Sequence, residues 1–201
     1  MSRRIGILGG AFDPVHLGHL ILAREAQDAL GLERVVFMPG ARTPLKGKPP
    51  EATDDARLAM LREAVKDRTD WEVCDWEIRR GGVSYSIDTA QHLAARFPDA
   101  HRFWIIGADQ LARLSAWHRI DELGRLATFA VAVRNGDKLV FPADLPPTVK
   151  VETLPARRID ISSTEIRDRL RDRLPGPELF LPATVYDLIR TDGLYRRERG
   201  P

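Results

Sequence analysis

Two hundred and one residues contain a single cysteine, Cys74, so no internal disulfide framework exists. That thiol reads as a buried bystander in a reducing compartment, not as a nucleophile. Long apolar runs are also missing: nothing approaches a signal-peptide core or a membrane span, and Met1-Ser2-Arg3-Arg4 leads straight into a strand. A soluble, cytoplasmic protein with no membrane partner is expected. Neither sign of charge dominates, since 31 Lys and Arg face 29 Asp and Glu for a formal net charge of +2. No nucleic-acid partner is therefore expected. The chain has no P-loop G-x-x-x-x-G-K-[ST] and no G-x-G-x-x-G, which argues against the common NTPase and dehydrogenase solutions. It has no H-E-x-x-H or paired-cysteine pattern, no internal repeat and no low-complexity tract.

What is present is concentrated in one stretch. The apolar run Ile5-Gly6-Ile7-Leu8 is followed by Gly9-Gly10-Ala11-Phe12-Asp13-Pro14-Val15-His16-Leu17-Gly18-His19. From Leu17 the apolar residues Leu20, Ile21, Ala23, Ala26 and Leu30 recur mostly at steps of three and four. This spacing predicts a helix over 17–30 that stops before Gly31. A strand, a loop of phosphate size and a helix start follow from that order. Gly9 and Gly10 let a ligand approach the backbone N–H groups, and the first helical turn offers free N–H groups and positive dipole. His16 and His19, three residues apart, share one side of that turn with Gly18 between them. Each feature alone is common in proteins with no such site.

Further along, Arg34-Val35-Val36-Phe37-Met38-Pro39 completes a βαβ unit with parallel strands. A Pro- and Lys-rich loop over 40–53 precedes a helix carrying Leu58, Leu61 and Val65, capped by Thr53 or Asp54. A strand is expected over 71–78, although its apolar phase shifts between Trp71/Val73 and Trp76/Ile78, which suggests a bulge or break. A helix over Ile87, Ala90, Leu93, Ala94 and Phe97 then leads to the central strand Phe103-Trp104-Ile105-Ile106, which ends in Gly107-Ala108-Asp109. Position past the end of that strand singles out Asp109, Trp117 and His118. Residues 128–133 form another strand, 135–150 a long connection and 149–151 a short strand. Ser162 and Glu165 have capping-box spacing for a further helix, and Pro182 suits the first turn of a last helix ending near Gly193.

The eleven residues Gly9 to His19 resemble the G-G-x-F-D-P-x-H-x-G-H signature of the nucleotidyltransferase superfamily named for H-x-G-H, in the form seen in bacterial nicotinate-nucleotide adenylyltransferases. Every fixed position is present. Ile161-Ser162-Ser163-Thr164-Glu165-Ile166-Arg167 resembles the I-S-S-T-x-I-R motif of the same superfamily, although alone it reads as an ordinary helix cap. Between and beyond the two lie Arg57 and Met60, Ser84 to Thr89, Gly107 to Asp109, Trp117 and the ending Asp192-Gly193-Leu194-Tyr195, so the resemblance covers nearly the whole chain. Thr43-Pro44-Leu45-Lys46 departs from the family's frequent P-P-H-K, His118 stands where Tyr is common, and Arg134-Asn135-Gly136 replaces Arg-Pro-Gly.

The resemblance implies an α/β fold: a doubly wound, Rossmann-like parallel sheet flanked by helices, of nucleotidyltransferase type. It would be one domain over 1–201, with 155–201 a C-terminal helical part closing the ATP site. The implied reaction joins ATP to nicotinate mononucleotide by direct in-line attack, with Mg2+ held mainly by phosphates and no confident side-chain ligand. The resemblance gives His16, His19 and Arg167 to the reacting phosphates. It gives Gly9, Gly10, Phe12, Gly18, Lys46, Gly107, Asp109, Ile161, Ser162 and Ser163 to ATP, and Thr89, Trp117 and His118 to the acceptor. A donor-rich, base-poor set suits a nucleophile that is already an anionic phosphate oxygen. Alternatives are the same transfer to nicotinamide mononucleotide or phosphopantetheine, a cytidylyl transfer, a non-catalytic nucleotide-binding module, and zinc ligation by the two histidines. Oligomeric state stays open, a homo-oligomer included.

Overall fold

The computed structural model describes residues 3–42, 49–133, 139–157 and 159–196. Thr43-Pro44-Leu45-Lys46 and Arg134-Asn135-Gly136 lie outside these residues, and with them the expectation for Lys46.

Six parallel strands form one sheet: β1 (Arg4–Gly10), β2 (Arg34–Pro39), β3 (Trp71–Val73), β4 (His101–Gly107), β5 (Thr128–Val133) and β6 (Val151–Pro155). Their order is β3-β2-β1-β4-β5-β6, so the winding direction reverses between β1 and β4. In a sheet of this doubly wound type the crevice outside the strand ends at the reversal is where ligands bind. β1 and β4 end there in Gly9-Gly10 and Gly107.

Alternation along the strands supplies two cores, as a sheet covered on both faces requires. Leu8, Phe37, Phe103, Ile105 and Ala130 pack with α1 (Leu17–Leu30), α2 (Asp54–Val65), α7 (Ser163–Arg171) and α8 (Ala183–Thr191). Ile7, Val36, Trp104, Ile106 and Phe129 pack with α4 (Ser86–Arg96), α5 (Ala108–Leu111) and α6 (Ile120–Leu126). The expected first helix has its expected bounds, and Gly31 ends it in the left-handed conformation at φ 59°. Thr53 caps α2 by accepting from Ala56 N at 3.2 Å, and Ser162 caps α7 by accepting from Glu165 N at 3.1 Å.

Two strands differ from expectation. The strand expected over 71–78 stops at Val73, after which Cys74 N still donates to Phe37 O at 2.9 Å. The chain then turns into α3 (Trp76–Arg80), where Trp76 stacks on His92 of α4 at 4.5 Å. The phase shift in the sequence marks this change of element, which swings Glu77 inward. The short strand expected at 149–151 lies further on: Val149 N is still bonded to Pro146 O at 3.0 Å, so pairing begins at Val151 and runs to Pro155. Pro182 precedes α8 rather than sitting within its first turn.

Candidate active site

Loop β1–α1 is folded around a buried phenylalanine and a buried carboxylate. Phe12 adopts φ 49° and is 1% exposed, which brings its ring beneath Gly10; a Cβ there would lie 3.2 Å from it. The same ring meets His19 edge-on at 5.0 Å. Asp13 accepts from Glu51 N at 2.7 Å, Ala52 N at 3.0 Å and the Tyr195 hydroxyl at 2.8 Å. Burial, with Asp13 beside it, pushes the Tyr195 phenol well above its usual range. Arg57, 0% exposed, donates to Ala11 O at 2.6 Å, Gly40 O at 2.9 Å and Asp54 at 2.6 Å. The loop is thereby fastened to β2, α2 and the end of the chain.

The histidines stand where α1 begins. His16 is the N-cap, and its backbone N–H donates to His19 Nδ1 at 3.2 Å. An accepting Nδ1 leaves the proton of a neutral His19 on Nε2. The two rings lie 3.8 Å apart. Burial lowers the His16 pKa from 6.5 to about 4, so its imidazole is neutral at pH 7, and its Nδ1 is buried without a hydrogen-bond partner. A Cβ on Gly18 would lie 3.0 Å from the His16 ring, which explains why the residue just before His19 has no side chain. No acidic residue occupies the first turn of α1.

The second motif reaches the same place from the far end of the chain. Ser163 Oγ donates to Pro14 O at 2.9 Å, and Arg167 donates to Asp13 O at 2.7 Å. The N–H groups of Ser163 and Thr164, in the first turn of α7, have no carbonyl of their own helix to meet. Arg167 Nε also bonds Glu51 at 2.9 Å. Burial pulls the Glu51 carboxyl upward, but Arg171 and Arg167 outweigh it and hold it below the ordinary range.

These elements enclose a cavity of about 1100 Å³ at the reversal point of the sheet. Gly9, Gly10, Phe12, His16, Gly18, His19, Gly107, Asp109, Ile161, Ser162, Ser163 and Arg167 all line it. Every described residue expected at the reacting phosphates or at ATP is thus brought together. Thr89, Trp117 and His118 are not among the lining residues. Thr89 is 0% exposed and donates to the buried carboxylate of Glu77, which burial pushes up. Trp117 meets Trp104 and Phe129 edge-on at 6.2 and 5.9 Å, with Nε1 buried and lacking an acceptor. His118, exposed, lies against Tyr85 at 4.4 Å. Sequence reasoning gave no role to Asp13, Glu51 or Glu77, because their partners are distant in the chain or, for Glu77, in an element read as a strand.

A family model described as cytidylyltransferase-like matches residues 7–169. A protein of Opitutus terrae named a probable nicotinate-nucleotide adenylyltransferase is 41% identical over 193 residues, covering 96% of this chain and 98% of its own length. A like-named protein of Herpetosiphon aurantiacus is 42% identical over 197 residues, covering 96% and 98%. Among solved structures, a Plasmodium falciparum nicotinic acid mononucleotide adenylyltransferase complexed with NaAD superposes with a TM-score of 0.74 at 16% identity, covering 96% of this chain and 97% of that one. That likeness shows a shared fold.

Proposed function

We propose, because this chain belongs to the cytidylyltransferase-like family and within it to the nicotinate-nucleotide adenylyltransferases, that it transfers the adenylyl group of ATP to nicotinate mononucleotide. The products are nicotinate adenine dinucleotide and pyrophosphate, and the reaction belongs to NAD biosynthesis. The observation that carries the reading is the convergence of Gly9 to His19 and Ser162 to Arg167 on one cavity at the reversal of the sheet.

An oxygen of the acceptor's phosphate attacks the α-phosphorus of ATP; the new P–O bond forms as the bond to the bridging oxygen of the β-phosphate breaks. The nucleophile is anionic at neutral pH, so no group has to remove a proton. What the chain must supply is alignment of two anions and donors for the spreading charge. His19 presents Nε2–H, and His16, kept neutral by burial, serves as a polar contact and not as a cation. The first turns of α1 and α7 and the guanidinium of Arg167 complete the donor set. In this reading Gly18 lets the adenosine lie against the backbone, and Gly9, Gly10, Phe12, Gly107, Asp109, Ile161, Ser162 and Ser163 wall the ATP site. Residues 155–201 close that site over a single domain, and Lys46, on the 40–53 loop, would join the phosphates.

Magnesium fits this site as an ion carried by phosphate and water, whose charge would offset that of the polyphosphate. Among the described residues no group of three or more His, Cys, Asp or Glu is placed to hold a metal. Both oxygens of Asp13 already have donors, whereas Asp109 is exposed at the cavity and would supplement the ion's shell.

Thr89, Trp117 and His118 form the acceptor end in this reading. The buried Trp117 Nε1 without an acceptor is an unsatisfied donor, a cost of roughly 1–3 kcal/mol that a ligand oxygen would relieve. A cytoplasmic site of action belongs to the same reading; among the described residues no helix is long and apolar enough to cross a membrane. The test is to supply ATP with nicotinate or nicotinamide mononucleotide and compare kcat/KM from pyrophosphate release. Faster use of the nicotinate form is expected, and faster use of the amide would overturn the choice of acceptor.

A further inference from the structure

Arg167 and Arg171 lie four residues apart on α7, and both point at one carboxylate. Arg167 Nε bonds Glu51 Oε1 at 2.9 Å, and Arg171 Nη2 bonds Glu51 Oε2 at 2.7 Å. Two guanidiniums at this spacing repel each other on an isolated helix, so a pair held together this way needs an anion between them. Glu51, at the cavity wall, supplies it. A carboxylate gripped by one guanidinium on each oxygen has the sign of charge and the paired acceptors of a phosphate group. Arg171 keeps its other terminal nitrogen on Asp168 at 2.6 Å, which fixes the guanidinium without consuming the face turned to Glu51. No motif in the sequence singles out Arg171 or Glu51.

We propose that Arg171 is the second guanidinium of the polyphosphate site, and that Glu51 occupies the Arg167–Arg171 pair until the polyphosphate of the nucleotide displaces it. This rests on the adenylyltransferase reading above. The exchange swaps one anion for a more highly charged one at the same two donors, so Glu51 keeps the pair assembled while weakening net affinity for phosphate.

The probe is inorganic tripolyphosphate, which lacks base and ribose and so reads the phosphate grip whichever nucleoside the enzyme uses. Binding is measured by calorimetry on the full chain, wild type and Glu51→Gln, each with and without Arg171→Ala, with thermal melts confirming that all four fold. Glu51→Gln is expected to tighten binding about 5- to 10-fold, since the competing charge is gone while the size of the side chain stays. In the Glu51→Gln background Arg171→Ala should weaken binding about 10-fold. With Glu51 neutral, that loss reports contact with phosphate and not the holding of Glu51. Weaker binding in Glu51→Gln, no effect of Arg171→Ala in that background, or no measurable binding to any of the four would overturn the proposal. Failure of the wild type to turn over ATP with nicotinate mononucleotide would instead count against the adenylyltransferase reading alone.

Discussion

At the end proposed to hold phosphate, His16, Gly18, His19 and the start of α7 line the cavity, whereas at the end proposed to hold the acceptor Thr89 and Trp117 are packed against their neighbours, outside that lining. The contrast follows from what each end is made of. Phosphate is held by backbone N–H groups, helix termini and cations, which are in position once β1, β4, α1 and α7 have formed. A pyridine ring is held by side chains, whose places are set by what they pack against. Trp117 sits edge-on against Trp104 and Phe129, so its position is decided by packing with those two rings.

The largest expected effect tests the phosphate end. Replacing His19 by Ala removes a donor to the ligand, so kcat/KM should fall about 10²–10³-fold, while loss of the bond it accepts from the His16 N–H should cost only about 0.5–2 kcal/mol of stability. Pyrophosphate release and a urea melt measure the two; unchanged turnover would break the comparison at its stronger side. Acidification tests the burial of His16. Its folded pKa of about 4 lies below the ordinary 6.5, so the unfolded chain takes up a proton first. The stability of the neutral imidazole is complete above pH 6.5 and is lost between 6.5 and 4, a difference of about 3 kcal/mol. His16→Asn should remove that portion of the acid sensitivity in denaturant titrations at pH 7 and pH 4.5, and an identical pH dependence in both proteins would place the imidazole in solvent.

Tyr195→Phe tests how far the loop depends on the end of the chain. It deletes the hydroxyl bonded to the Asp13 carboxylate at 2.8 Å, and loss of such a charge-assisted bond should cost about 1.5–3 kcal/mol by thermal or urea unfolding. A neutral result would mean that the two backbone donors to Asp13 suffice. Trp117→Phe sharpens the acceptor end: a roughly 10-fold rise in KM for the mononucleotide is expected from losing an indole N–H contact, with KM for ATP unchanged. Equal changes in both KM values would mean that Trp117 serves the fold and not the acceptor.

Much of the architecture was legible along the chain because it is local. The span Leu17–Leu30 follows from apolar spacing and Gly31, and β4 from a run apolar on both faces. The phase shift after Val73 was visible, but periodicity alone could not convert it into α3, whose place depends on the stacking of Trp76 with His92 of α4. Glu51 carried no signal because its partners are on α7, more than a hundred residues further along. The acceptor residues were assigned by resemblance, and the burial of Thr89 and the ring contacts of Trp117 are matters of packing that no motif encodes.

By itself the sequence determined the parallel βαβ start, the two helix starts that carry His16, His19 and Ser162, and the donor-rich, base-poor character of the site. Those properties depend on residue type and spacing within a turn or two. Only the tertiary structure decided that Asp13 joins the loop to Tyr195 across 182 residues, that Arg167 and Arg171 close on Glu51, and that Trp117 is packed away from the cavity. Each of these joins groups far apart in the chain, and such contacts exist only once the sheet has brought their elements side by side.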